Sequence, residues 1–239
     1  MLFRSVTIDL DGTLLDTIVD LADACNAMLA ELGQPQRELA QIHSFVGKGM
    51  AVLVERCLTY GVPPEAPLLA DAIEVFRRCY TQINGRSTRI YPGVIEGLNA
   101  LRDQGLAVAC VTNKPAAFTA PLLERMGLAG YFPVVVSGDT LPHKKPRPEP
   151  ILHACVLMNS APASNVHIGD SANDIDAARA AGSPVLCVPY GYNEGRAVDS
   201  ADCDALVSSL LAAAEWIKHA AACPIRLPNS AYCDSHEHG

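Results

Sequence analysis

Short apolar runs alternate along the chain with longer stretches whose apolar positions recur every three or four residues. A nearly continuous apolar run over about residues 3–9 predicts a buried parallel strand. Runs at about 106–111, 133–137, 165–168 and 184–188 predict four more. Helical stripes separate them, such as Phe118, Leu122, Leu123 and Met126, which Pro115 opens and Gly127 stops. Further helices are expected up to Gln104, over about 149–159, up to Ala181 before Gly182, and over 204–222. This alternation predicts an α/β fold: a three-layer, Rossmann-like, mainly parallel sheet core with right-handed crossovers.

One stretch interrupts it. Leu21, Ala24, Cys25, Met28, Leu29 and Leu32 form a helical stripe ending at Gly33. Helical patterns continue through about 36–45, 50–60 and 66–84, broken at Gly47-Lys48-Gly49 and Gly61-Val62-Pro63-Pro64. An all-helical insertion directly after the first strand is expected as a cap above the sheet's edge, where closure expels water, with a helical subdomain that only packs as the other reading. The expected organisation is a core of residues 1–16 and 91–223, a helical cap of 17–90, and a disordered tail of 224–239. Cys233, His236 and His238 in that tail lack the framework that a metal site needs.

Composition narrows the class of protein. The 239 residues are 49% hydrophobic and 18% charged, with no apolar run near membrane-spanning length. Acidic residues from position 9 onward argue against a secretory signal. Nine widely spaced cysteines without a C-x-x-C pair read as reduced thiols, so a cytoplasmic protein is expected, without a zinc ribbon or redox motif. A formal charge of −8 offers no footprint for nucleic acid. A small anionic substrate would need local cations plus a metal, neither nucleic acid nor membrane is expected as a partner, and the chain is expected to be a monomer or homodimer.

Charge collects where strands end. Asp9 and Asp11 directly follow the first strand, where open α/β sheets place their ligands. Carboxylates that close repel unless a cation lies between them, and a hard divalent ion such as Mg²⁺ suits oxygen ligands beside phosphate. Gly12 permits a sharp turn, and the Thr13 hydroxyl is available to an anionic oxygen. An ordinary strand-ending turn is the other reading of these residues. Two further strand ends carry Thr112-Asn113-Lys114 and Gly169-Asp170-Ser171-Ala172-Asn173-Asp174, and a proline-rich loop carries Lys145.

The series Asp9-Leu10-Asp11-Gly12-Thr13, Thr112-Asn113-Lys114, Lys145-Pro146 and Gly169 to Asp174 resembles the four-part signature of the haloacid dehalogenase superfamily. The resemblance covers nearly the whole chain. Val111 to Pro115, Lys144-Lys145-Pro146, Gly169-Asp170-Ser171 and Tyr190-Gly191-Tyr192-Asn193 resemble its bacterial phosphoglycolate phosphatases more closely. The resemblance implies Asp9 as nucleophile and Asp11 as the acid and base that serves leaving group and water. It implies Mg²⁺ held by the Asp9 carboxylate, the Asp11 main-chain carbonyl and Asp170, with Asp174 as a further ligand or as an orienting group. Thr112 and Lys145 would face the phosphoryl oxygens, and Asn113 the phosphate or the cap.

Substrate choice is expected to lie in the cap. Lys48 between two glycines is a candidate for a substrate carboxylate, and equally an exposed lysine in an interhelix turn. Arg56 is similarly placed, whereas His43, His153 and His167 read as packing or solvent-facing residues. The competing readings are a phosphatase for another small ester or pyrophosphate, a sugar phosphomutase, a phosphonate hydrolase, and a non-catalytic phospholigand-binding module.

Overall fold

The computed structural model of the chain describes residues 3–59 and 65–222. β1 (Ser5–Ile8) leads through a tight turn to the two-residue strand β2 (Leu15–Asp16) and then to four helices. These are α1 (Ile18–Glu31), α2 (Leu39–His43), α3 (Met50–Leu58) and α4 (Ala66–Ile83). β3 (Arg89–Ile90) closes the block by pairing antiparallel with β2, Leu15 opposite Ile90. The chain then runs α5 (Val94–Asp103), β4 (Ala107–Val111), α6 (Ala116–Arg125), β5 (Val134–Val136) and α7 (Glu149–Leu157). It ends with β6 (Asn165–Gly169), α8 (Ala172–Ala181), β7 (Val185–Cys187), β8 (Ala205–Leu206) and α9 (Leu210–Ala222).

Six strands form one parallel sheet in the order β5-β4-β1-β6-β7-β8. Chain order reverses at β1, with β4 on one side and β6 on the other, so a crevice opens beyond their carboxyl ends. Strand alternation divides the core. Val6, Ile8, Val108, Cys110, Val166 and Ile168 face α5 and α9, while Ala109, Val111, Val185 and Cys187 face α7 and α8. On the second face the central strands carry Ser5, Thr7, Asn165 and His167 instead of apolar residues, all fully buried and hydrogen-bonded to one another.

Helices α1 to α4 gather around their own apolar core of Leu21, Met28, Leu29, Leu53, Val54 and Phe76, which Phe118 of α6 and Tyr192 join from outside. The expected helices over 36–45, 50–60 and 66–84 stand at α2, α3 and α4. The Gly61-Val62-Pro63-Pro64 break and the 224–239 tail lie outside the described residues. No helix among the described residues is long and apolar enough to cross a membrane.

One expectation needs correction, and one element was not foreseen. The segment 204–222 is not one helix, because Ala205-Leu206 is captured as an edge strand beside β7. The Asp204 carboxylate fixes that edge by accepting from Val185 N at 2.7 Å, and the helix starts only after Ser209, whose hydroxyl accepts from Ala212 N. The β2–β3 ribbon was equally invisible, since two residues show no period and the partner lies far along the chain.

Asp20, fully buried in the first turn of α1, fastens this helix to the segment that returns from α4. Its carboxylate accepts from Gly85 N, Ser87 N, Thr88 N and the Thr88 hydroxyl, at 2.6–3.1 Å. Replacing it strands the amides of half-buried Gly85 and buried Thr88, each costing about 1–3 kcal/mol, besides that of exposed Ser87. Asp20→Ala is therefore expected to lower unfolding stability by about 3 kcal/mol or more, read from the urea midpoint. A change below about 0.5 kcal/mol, typical of ordinary surface positions, would show that water replaces these bonds freely.

Candidate active site

Four carboxylates and two lysines meet beyond the ends of β1, β4 and β6. The strand ends at Ile8, and the Asp9 N–H still donates to Ile168 O at 2.9 Å, which sets the Asp9 side chain above the sheet. Gly12 follows at φ +89°, and a Cβ there would stand 2.5 Å from Asp170 Oδ2. Gly191 presses on the same residue, because its Cβ would lie 2.2 Å from the Asp170 Cβ. Both positions are glycine because the Asp170 carboxylate must fit between them.

The turn sends Asp9 and Asp11 apart. Asp9 joins Asp170 and Asp174, whose ligand oxygens all lie within 4.8 Å of one another. The Asp11 carboxylate turns instead to Lys114, whose Nζ lies 3.1 Å from each oxygen, and to the Thr17 hydroxyl at 2.8 Å. Sharing of one ion by the two side chains of the dyad, expected from their spacing, does not match this geometry.

Lys145 holds the cluster from below. Its ammonium donates to Asp174 Oδ1 at 2.7 Å and Val111 O at 2.8 Å, and stands 2.8 Å from Asp9 Oδ1. Asp174 is fully buried; His167 Nε2 also donates to its Oδ1, while Ser171 N and Oγ donate to its Oδ2. Burial opposes ionisation of Asp174, but Lys145 and His167 outweigh it and hold its pKa well below the usual carboxylate range. Burial keeps the His167 pKa down, so its imidazole is neutral and accepts at Nδ1 from the Thr7 hydroxyl. His167 thus packs, as its sequence context suggested, but packs as the orienter of an acid.

Asp170 accepts from the Thr13 hydroxyl at 2.9 Å and from Tyr192 N at 2.7 Å. Thr13 therefore gives its proton to a protein carboxylate and not, as its place after the dyad suggested, to a substrate oxygen. Burial, reinforced by Asp174 and Asp9, raises the Asp170 pKa well above its ordinary value. Burial likewise pushes Asp9 up to about 7, with Lys145 opposing and Asp174 adding to the rise. Four carboxylates against two ammonium groups leave an excess of negative charge, and the ligand oxygens of three of those carboxylates crowd within 4.8 Å of one another. A hard divalent cation between Asp9 and Asp170 fits this all-oxygen set of crowded like charges.

A cavity of about 50 Å³ lies over the acids. Asp9, Asp11, Thr112, Asn113 and Lys114 form its floor, and Leu21, Val46, Gly47, Gly49 and Leu53 from the helical insertion form its roof. The Thr112 hydroxyl accepts from Lys114 N at 3.2 Å. Asn113 Nδ2 donates to Lys145 O and to Gly47 O, tying floor to roof. Lys48 does not line the cavity: its ammonium is 3.3 Å from Glu194, which Arg56 also pairs at 2.6 Å.

Sequence reasoning passed over Lys114, Thr17, Tyr80 and Tyr192. Lys114 stands in the polar set that ends β4, next to Thr112 and Asn113, and the signal for it is the need of two clustered acids for a second cation. Tyr192 stands in the Tyr190-Gly191-Tyr192-Asn193 string with no role attached to it there, and nothing local marks Tyr80, whose hydroxyl reaches the site from a distant segment.

The chain matches the model of the family described as haloacid dehalogenase-like hydrolase over residues 6–188. It is 54% identical over 217 residues to a phosphoglycolate phosphatase of Nitrosospira multiformis, covering 90% of this chain and 96% of that one. A phosphoglycolate phosphatase of Thiobacillus denitrificans is 49% identical, covering 91% and 96% of the two chains. Among solved structures, a predicted phosphoglycolate phosphatase from Haemophilus somnus superposes with a TM-score of 0.85 at 30% identity, covering 90% and 97%.

The raised Asp9 pKa sets a sign. Without a cation, the folded protein binds more protons than the unfolded chain between the ordinary value of 3.8 and about 7, so this group lowers stability as pH rises through that window. A cation competes with those protons. Mg²⁺ at a hundredfold excess over its dissociation constant should raise the melting temperature of chelator-treated protein by roughly 5–10 °C at pH 8. The rise should be smaller at pH 6, and a larger one there in parallel scanning calorimetry would contradict the assignment.

Proposed function

The chain belongs to the haloacid dehalogenase-like hydrolase family and is a phosphoric monoester hydrolase, and from that premise we propose that it converts 2-phosphoglycolate to glycolate and phosphate through an aspartyl-phosphate on Asp9. The observation that carries this reading is the pairing of each dyad acid with its own lysine, Asp9 with Lys145 and Asp11 with Lys114. One acid is thereby held over the metal-type cluster and the other beside the small cavity. The names of the high-identity relatives and the size of the cavity support a small substrate.

In the first displacement an Asp9 oxygen attacks phosphorus, the bond from phosphorus to the leaving oxygen breaks, and a proton from Asp11 goes to that oxygen. In the second, water attacks phosphorus, gives a proton to Asp11, and the bond between phosphorus and Asp9 breaks. Asp9 and Asp170, with the Asp11 carbonyl that the family resemblance implies, would hold Mg²⁺, which would supply charge neutralisation and polarisation of the phosphoryl group. Thr112 and Lys145 offer a hydroxyl and a positive charge to the phosphoryl oxygens. Asp174 orients Lys145, and Thr13 orients Asp170. The helical segment 17–90 is the cap that excludes water, and Asn113 senses its position through Gly47.

With Mg²⁺ present, kcat/KM measured side by side should rank phosphoglycolate above pyrophosphate and hexose phosphates. A hexose phosphate or pyrophosphate in first place would replace the substrate while keeping the chemistry. Asp9→Asn should cut kcat by about three orders of magnitude or more with an unchanged circular dichroism spectrum. Residual turnover above a few per cent of wild type would remove Asp9 from the role of nucleophile.

A further inference from the structure

Lys114 has no part in the two displacements, yet it is the most enclosed cation at the cavity besides Lys145. Its ammonium meets both oxygens of Asp11 on one side and the Tyr80 hydroxyl, at 2.7 Å, on the other. Lys114 comes from the loop after β4, whereas Tyr80 comes from α4 in the helical insertion. The tyrosine is itself fixed. Its ring stacks on Phe76 at 5.4 Å and meets the edge of Phe118 at 4.9 Å, and the ammonium lies 4.8 Å from its centroid. Lys114 cannot drift toward solvent, because its side chain is almost wholly buried between these groups.

We propose that Lys114 is a positioning residue for the proton-transferring carboxylate of Asp11, and that Tyr80 makes this positioning depend on the helical insertion. The physical reason is the directionality of the contacts. A lysine on a flexible stem is a mobile point charge, and only a second acceptor opposite the first fixes where it stands. Tyr80 is that acceptor. With it in place, the ammonium holds the Asp11 carboxylate from one side while the Thr17 hydroxyl holds it from another. Displacement of α4 removes the acceptor, and Asp11 loses the group that aims it at the leaving oxygen.

The inference rests on the reading of Asp11 as proton donor, and leaving-group chemistry separates the two. An alkyl ester such as phosphoglycolate expels a basic alkoxide that needs the proton, whereas p-nitrophenyl phosphate expels a stable phenolate that does not. The kcat/KM value reports the steps up to loss of the leaving group, so hydrolysis of the aspartyl-phosphate does not mask the comparison. Asp11→Asn, Lys114→Met and Tyr80→Phe are each assayed on both esters, with thermal melts confirming the fold. Tyr80→Phe keeps the ring packing and removes only the hydroxyl, so it serves if Lys114→Met does not fold.

The expected result is a loss of about 100-fold or more on phosphoglycolate for Lys114→Met, and a smaller loss of the same selectivity for Tyr80→Phe. The loss on the aryl ester should stay within roughly tenfold for both. Equal losses on the two esters, or no loss, would overturn the proposal, as would selectivity in Lys114→Met without any in Tyr80→Phe. Should Asp11→Asn itself show no selectivity, the donor assignment falls and takes this inference with it.

Discussion

Buried negative charge is the constraint around which this molecule is arranged. Asp9, Asp11, Asp170 and Asp174 stand together at the crest of a buried sheet, and ionised carboxylates in such a place repel strongly. Lys145 and Lys114 offset part of that repulsion, each between two or more acceptors. Pairing of this kind is poor evidence of stabilisation, since desolvating both partners consumes most of the attraction. What it delivers is order: every acid has a fixed direction, and the unbalanced remainder fits a cation.

Support for that order runs deep into the sheet. Asn165 donates to the Thr7 hydroxyl, Thr7 meets His167, and His167 donates to Asp174, which holds Lys145. This buried polar line occupies the sheet face toward α7 and α8, where Val and Ile would otherwise pack. Each group in it finds a partner, which is the condition under which polar residues are tolerated in a core. The same logic joins the helical insertion to the sheet. Asp20 gathers the returning segment, Asn113 reaches Gly47, Tyr80 reaches Lys114, and Glu194 pairs Lys48 and Arg56. Two of these contacts, those of Asn113 and Lys114, belong to residues that also line the cavity.

Much of this was legible along the chain because it depends on local order. The continuous apolar run before Asp9, the stripe closed by Gly127 and the stripe closed by Gly182 each contain their own period and stop signal, and the strands and helices stand within a few residues of them. The acids and lysines stood out for the same reason: charge directly after a buried strand is costly unless a ligand or a counter-charge meets it there. Ribbons and edge strands of two residues did not, since Leu15-Asp16 and Ala205-Leu206 are strands only because a distant partner receives them. By itself, the sequence determined the alternating core, the helical insertion and the identity of the charged residues. Only the tertiary structure decided which charge faces which: that Asp11 turns to Lys114 rather than to Asp9, that Thr13 serves Asp170, and that Lys48 leaves the cavity for Glu194. Hydrogen bonds between side chains far apart in sequence leave no period to read, and at this site they settle what each group can do.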